Sequence, residues 1–385
     1  MNSDFHYYAT YCAAQLAGYS HDDSLAIAYS DRFVDLCGKT LLSKLKAPTA
    51  AATTQRPLEM ADNRTDIIGL QWITRIWSSF HFLPYDLYAE PPRRCTKAYK
   101  NKYRLICNPN GELVKETVRL AKDKSPQAVG LAMHVLADTW AHRYFAGTPS
   151  LVINNTNRYF YELFPSEDGY TEKKITFRHS ATSPDDIDNS IYTCSLFSNS
   201  ENSIMNLGHG RAGHLPDYSF IKYKYLPAWG NYEEILKDNP SDYTHAFYQM
   251  VYALKYLIGS IDSFETDTYD TEVDEDIRKE VQRIINTRQL SSADDWKALG
   301  EKLSGCEIEP FDIDKYQSEY MDADKDKKDD TFLGKFILSA LAQKSMVTNK
   351  IYNSGSKLAG YSIDYEDEGF KGMKAFKSLV REEEA

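Results

Sequence analysis

One helical segment constrains this chain more than any other. In Leu131-Ala-Met-His134-Val-Leu-Ala-Asp138-Thr-Trp-Ala-His142, two histidines and an aspartate recur every four residues. Four residues turn an α-helix by about 400°, so the three side chains lie in one row with a drift of about 40° per step. The intervening Leu131, Met133, Val135, Leu136, Ala137 and Trp140 are apolar nearly all round. Such a helix is expected to be buried, and buried His and Asp need partners. Imidazole and carboxylate are competent Zn²⁺ ligands, and a carboxylate can join two ions. The HExxH zinc helix uses the same four-residue spacing. A polar helix face with two ordinary histidines is the competing reading, and the apolar surroundings favour metal.

One helix cannot fill a tetrahedral shell, so further ligands must come from elsewhere. His6 in Asp4-Phe-His-Tyr-Tyr and His81 in Ser79-Phe-His-Phe-Leu-Pro sit among apolar residues. His209 and His214 lie in Gly208-His-Gly-Arg-Ala-Gly-His-Leu-Pro-Asp217, where small residues let the backbone approach a site closely. Taken singly, each is more often a satisfied core or surface histidine than a ligand. His21, His179 and His245 look bland.

Periodicity predicts helices over 5–18, 23–37, 66–79, 111–123 and 126–145, then 243–263, 273–288, 293–303, 312–320, 331–353 and 369–383. Residues 45–65 read as an exposed polar loop, and 89–110 as an excursion with a hairpin. From 148 to 225 only short β-like runs occur: Leu151 to Ile153, Lys174 to Phe177 and Ile191 to Leu196. The acidic run from Asp322 has calcium-loop alternation, but Lys327 and Leu333 stand where Gly and Glu belong, so it reads as solvated. The expected fold is mainly α: a helical metal-binding core over 1–265 with an irregular, partly β insert at about 148–225, and a helical extension over 266–385 packed on it.

With 56 acidic against 45 basic residues, the net charge is −11. That field repels nucleic-acid backbone, so a duplex-DNA binder is not expected. Lys and Arg do cluster from Arg93 to Arg104, interleaved with Tyr99 and Tyr103, and a solvated basic loop is the simpler account of that run. Neither a transmembrane stretch nor a secretory leader is seen, and the six cysteines are scattered, so a reduced cytoplasmic protein is expected. A Cys95–Cys107 bridge is the least improbable disulfide.

Five blocks occur in order along the chain. They are Asp4-Phe-His-Tyr-Tyr8, Ile27-Ala-Tyr-Ser-Asp-Arg-Phe-Val-Asp35, Phe80-His-Phe-Leu-Pro84, His134 to Gly147, and Gly208-His-Gly with Pro216-Asp217. Over roughly residues 1–260 they resemble an uncharacterised bacterial family. That family in turn resembles a remote branch of the zinc-dependent phospholipase C and single-strand nuclease superfamily, through the HxxxDxxxH helix and the early His and Asp. The resemblance implies a mainly helical phospholipase C-like core holding two or three Zn²⁺ and hydrolysis of a phosphoester. The implied substrate is a small phosphate ester or a lipid headgroup.

On this resemblance His134, Asp138 and His142 are the central ligands, with Asp138 bridging. His6 and His81 join from neighbouring helices. Asp35 serves as ligand or general base, ahead of Asp31, and His209, Asp217 and His214 complete the set. Asp4 is expected to orient His6. Two departures stand out. The secreted phospholipases begin at a Trp whose amine and carbonyl bind zinc, whereas residue 1 here is Met, so that ligand is expected to be absent. The superfamily's second HxxxE or HxxxD has no clean copy, since His214-Leu-Pro-Asp217 is one residue short. The alternative from another class is a non-catalytic binding or scaffold protein stabilised by metal, with the helices after 265 available to a protein partner.

Overall fold

A computed structural model describes residues 1–56, 59–60, 67–92, 94–167, 169–178, 183–194 and 207–360. A π-helical turn, Phe5–Ala9, leads directly into α1 (Thr10–Ala17), which Gly18 ends in the left-handed conformation. Ser20 then caps α2 (His21–Val34) by accepting from the Asp23 amide. After α3 (Lys39–Lys44) come α4 (Ile67–Phe80), α5 (Lys97–Tyr103), α6 (Glu112–Leu120) and α7 (Pro126–Ala141), the last begun by a proline at its first turn. A four-residue helix, α8 (Leu151–Asn154), opens the β region.

The main sheet has the order β2-β1-β5-β6, with every neighbouring pair antiparallel. Its strands are β1 (Thr156–Ser166), β2 (Gly169–Lys174), β5 (Lys222–Pro227) and β6 (Ile235–Asp238). The short β3 (Thr176–Arg178) and β4 (Ile191–Thr193) pair in parallel beside it. The chain then returns to helix: α9 (Asn239–Ile258), α10 (Glu275–Asn286), α11 (Ala293–Ser304), α12 (Ile313–Asp322) and α13 (Phe332–Asn353). Among the described residues the fold is mainly α, and no helix is long and apolar enough to cross a membrane.

α7 is buried along its whole length, as its composition requires. Its closest partner is α2, and Gly130 explains how close they come. A Cβ at Gly130 would lie 2.1 Å from the Ile27 carbonyl oxygen, 2.8 Å from Ser30 Cβ and 3.0 Å from the Asp31 nitrogen. Gly130 is one step before His134 in the four-residue row, so the contact that needs a glycine also brings Asp31 against His134. Gly130→Ala should lower unfolding free energy by at least about 2 kcal/mol, because neither backbone can yield without moving a helix. Urea unfolding of the two proteins checks this, and a loss below about 0.5 kcal/mol would contradict it.

A single apolar core runs from Met1 and Phe5 through α2, α7 and α9 to Trp296, Ile308, Phe336 and Ala359, so the helices after 265 pack into the same core as the first ones. A second cluster, Phe160, Ile175, Tyr192, Tyr223 and Tyr225, joins the sheet to Phe82 and Phe145. Glu162 inside that layer is held by Arg288, Ser190 and Tyr192, at 2.6, 2.7 and 3.0 Å.

Several local expectations need correction. Residues 45–56 are not an exposed loop: Leu45, Ala47, Ala50, Ala51, Ala52 and Thr53 are buried. Their carbonyls find partners that the sequence does not advertise. Lys344 Nζ, on α13, donates to Ala50 and Ala52 at 2.5 Å each. Leu151–Asn154 is helical, and the 89–110 excursion carries α5 in place of a hairpin. Both Cys95 and Cys107 are free thiols. The helix expected over 369–383 and His179 lie outside the described residues.

Burial, reinforced by the Arg75 charge, pulls the Lys344 ammonium down to about 7 from its ordinary 10.5. Between those values the unfolded chain holds a proton that folded Lys344 has released, so this residue makes stability rise with pH across that window. On metal-loaded protein, wild type should gain up to about 4 kcal/mol on Lys344→Met between pH 7 and pH 10, at roughly 1.4 kcal/mol per unit. A difference that does not change with pH would refute the buried-amine reading.

Candidate metal centre

α7 projects His134 and Asp138 from one face, and His142 follows as the residue that closes the helix. Asp138 stands at the middle of a buried group of side chains. Its Oδ1 lies 3.1 Å from His6 Nε2 and 2.6 Å from the Met1 nitrogen. Its Oδ2 lies 3.1 Å from His81 Nδ1, 3.2 Å from His134 Nε2 and 3.5 Å from His142 Nδ1. His6 is delivered by the π-turn, His81 by the turn that ends α4, and His209 by the loop before Asp217.

Each of these histidines is oriented the same way. One ring nitrogen donates to a fixed acceptor and the other faces the group. His6 Nδ1 donates to Asp31 Oδ1 at 2.7 Å. His134 Nδ1 reaches the Asp31 carbonyl and carboxylate, both at 3.0 Å. His81 Nε2 donates to the Thr53 carbonyl at 3.0 Å, His142 Nδ1 to the His81 carbonyl at 2.7 Å, and His209 Nδ1 to the Gly213 carbonyl at 2.8 Å. Acceptors of this kind select the tautomer and aim of metal-binding imidazoles.

Among the described residues, three sets of three side chains have potential ligand atoms within 4.8 Å of one another: His6, Asp31 and His134; Asp35, His81 and His134; and His142, His209 and Asp217. Two nitrogens bound at about 2.0–2.1 Å to one tetrahedral ion sit about 3.3–3.4 Å apart. His134 Nε2 and His81 Nδ1 are separated by 3.3 Å, and the Met1 nitrogen and His142 Nε2 also by 3.3 Å. His142 Nε2 lies 3.5 Å and His209 Nε2 3.9 Å from Asp217 Oδ1. The donor set suits a small N/O-binding cation without rearrangement.

Asp31 is better placed to orient than to ligate. Thr10 Oγ1 donates to its Oδ2 at 2.6 Å, while His6 and His134 share Oδ1. Asp35 faces the same group, with Oδ1 3.9 Å from His134 Nε2 and 4.0 Å from His81 Nδ1, and Arg32 holds its other oxygen at 2.9 Å. Asp35 and Asp217 are partly exposed, as is His209, so the group opens to solvent on that side.

Phe82 stacks on His142 with ring centroids 4.7 Å apart. It passes over Gly208, whose φ is +53° and whose Cβ would lie 2.1 Å from Phe82 Cζ. Its positive φ and the ring against it both favour glycine there.

The electrostatics follow from burial and crowding. Burial opposes the charged form of His134, but Asp138, Asp31 and Asp35 outweigh it and raise the ring to about 10. Burial also disfavours the Asp138 carboxylate, yet His142, the Met1 ammonium, His134 and His6 hold it well below the usual carboxylate range. Asp35 and Asp217 are lowered in the same way, against burial, by the histidines around them. His209, where burial dominates, is pushed down to about 4.

His6, Asp35, His81, His134, Asp138, His142, His209 and Asp217 are thus brought together, and three expectations are not met. His214 turns away: its ring is 56% exposed and pairs with Asp185 at 3.3 Å, although the backbone amide of Asp217, three residues on, bonds its carbonyl. The proline-containing turn Leu215–Asp217 separates the two directions. Asp4 does not orient His6; its Oδ2 accepts from Ser291 Oγ and the Ser292 amide, at 2.8 and 2.7 Å, at the start of α11. The Met1 nitrogen, expected to play no part, lies inside the group.

A family model described as "Family of unknown function (DUF6765)" matches residues 1–351. The chain belongs to this family. Every candidate ligand falls within the matched span. No curated protein and no solved structure matches the chain.

Proposed function

We propose that this protein is a metal-dependent hydrolase of phosphoesters, using two or three Zn²⁺. The observation that carries this reading is the shared orientation of five histidines, each with one nitrogen tethered and the other turned toward Asp35, Asp138 or Asp217. Ions held there supply Lewis acidity toward a phosphoryl group and make water acidic enough to react near neutrality. His6, His81 and His134 with Asp35 and Asp138 would hold one ion, and His142, His209 and Asp217 another. Asp138 contacts residues of both sets and would supply negative charge to ions held in either. Asp35, on the exposed side, is placed to take a proton from water. Phe82 walls the other side and limits solvent there.

The substrate class, a small phosphate ester or lipid headgroup, rests on the resemblance to zinc phospholipases and single-strand nucleases. The test is hydrolysis of a phosphomonoester, a phosphodiester and a phosphatidylcholine by zinc-loaded protein. Inertness toward all three would leave the second reading, a metal held only for structure. Complete burial of His6, Asp31 and His134 favours that reading, and the partial exposure of Asp35, His209 and Asp217 favours catalysis.

A further inference from the structure

A groove of about 730 Å³ lies between α6, α7 and α13, against the first half of α7. Its walls include Leu120 of α6, Leu131 of α7, and Leu338, Ala342 and Met346, which recur every four residues on α13. Those last three are half-exposed, an apolar stripe on a helix whose remaining apolar side chains are nearly all buried in the core. Arg119, Lys124 and Lys335 ring the groove with positive charge, and the one acidic member of its lining, Glu116, is engaged by Lys350 at 2.9 Å.

We propose that this groove docks the chain's own C-terminal segment, residues 370–380, as an amphipathic helix. Three features of the chain select this occupant. In Phe370-Lys-Gly-Met-Lys-Ala-Phe-Lys-Ser-Leu-Val380, helical spacing gathers Met373, Phe376, Leu379 and Val380 within an arc of about 120°, with Lys371, Lys374 and Ser378 opposite. That is the pattern of a helix laid into an apolar groove.

Charge enters through the flank: Asp364, Glu366, Asp367 and Glu368 precede the apolar arc and would meet the basic rim, while Lys371, Lys374 and Lys377 of the segment lie off that arc, toward solvent. Reach agrees as well. The chain at 357–359 is tied to α4, where Gln71 and Arg75 each donate to its carbonyls at 3.1 Å, and α4 packs beside α13. Ten further residues span up to about 33 Å, as long as the whole of α13. Tethering makes the docking intramolecular, with an effective concentration in the millimolar range for a short linker.

Hydrogen–deuterium exchange on the full, metal-loaded chain tests this. Amides of 372–380 should exchange at least ten-fold more slowly than in a free peptide of the same sequence. Leu338→Asp with Met346→Asp should return them to the peptide's rate. Because that pair could disturb α13, Phe376→Asp provides a second arm: it leaves the core intact and should release the same amides while the melting temperature stays within about 3 °C. Wild-type exchange at the free-peptide rate overturns the proposal, as does protection that survives both variants. Protection that falls on ten-fold dilution assigns the groove to a second copy of the chain and overturns the intramolecular form.

Discussion

Protein purified and equilibrated with zinc should carry at least two equivalents of metal per chain, and a chelator should lower its melting temperature by at least about 10 °C. Four carboxylates, from Asp31, Asp35, Asp138 and Asp217, are gathered with five imidazoles in a largely buried space. Neutral imidazoles cannot balance four negative charges, and uncompensated buried charge is costly. Without cations the compensating charge comes from the Met1 ammonium on Asp138 and a protonated His134, and the shifts described above set the consequence.

His134, raised to about 10, stabilises the metal-free fold fully below its ordinary 6.5, and that stability is lost as pH rises toward 10. His209, lowered to about 4, acts in the opposite sense: its contribution is present above 6.5 and lost as pH falls toward 4. With Lys344→Met removing the opposing rise from that buried amine, the chelated protein should therefore be most stable near pH 6.5 and the zinc-loaded protein should show a broader plateau. Elemental analysis giving less than about half an equivalent, with no gain on adding zinc, would remove the metal centre altogether.

Asp138→Asn should reduce hydrolysis of a phosphodiester by at least about 100-fold while the fold persists. Asparagine keeps the shape of the side chain but loses the charge that faces His6, His81, His134, His142 and the Met1 nitrogen together. If the metal only braces the structure, the same substitution should act chiefly on the melting temperature, because binding energy is then folding energy. Both quantities are to be measured on one preparation with zinc in excess. A zinc-loaded wild type that hydrolyses nothing, paired with a large thermal loss in the variant, would overturn the enzymatic reading. A variant that keeps activity within three-fold of wild type would remove Asp138 from its central place.

Much of the architecture was legible along the chain because helices report themselves locally. Gly18 as a stop, Ser20 as a cap, and apolar residues at a 3.6-residue period mark α1, α2 and the described helices after 270 to within a few residues, whereas α9 ends at Gly259, inside the helix expected over 243–263. The middle of the chain was harder. β1 runs eleven residues, yet its faces do not alternate cleanly: one side meets the second aromatic cluster, Glu162 is buried as an ion pair, and the register shifts between Thr156 and Phe160. A strand of that kind has no period-2 signature to detect.

The polar stretch after Leu45 misled for a related reason. Its backbone is satisfied by Lys344, nearly three hundred residues away, and by the His81 ring, so its burial depends on partners that no local pattern contains.

What the sequence by itself determined about the centre is the row His134, Asp138, His142, because four-residue spacing on an apolar helix leaves those side chains one direction to point. It also made His6, Asp35, His81, His209 and Asp217 candidates by type and surroundings. Only the tertiary structure decided how they meet. Gly130 lets α2 come close enough for Asp31 to hold both His6 and His134, so Asp31 became the orienting carboxylate and Asp35, one turn on, faces the cluster. His214 and Asp217, three residues apart on one turn, were sent to different partners, Asp185 and His142. Residue spacing fixes directions within one element, whereas the approach of two elements depends on side-chain volumes at their contact, which no single element encodes.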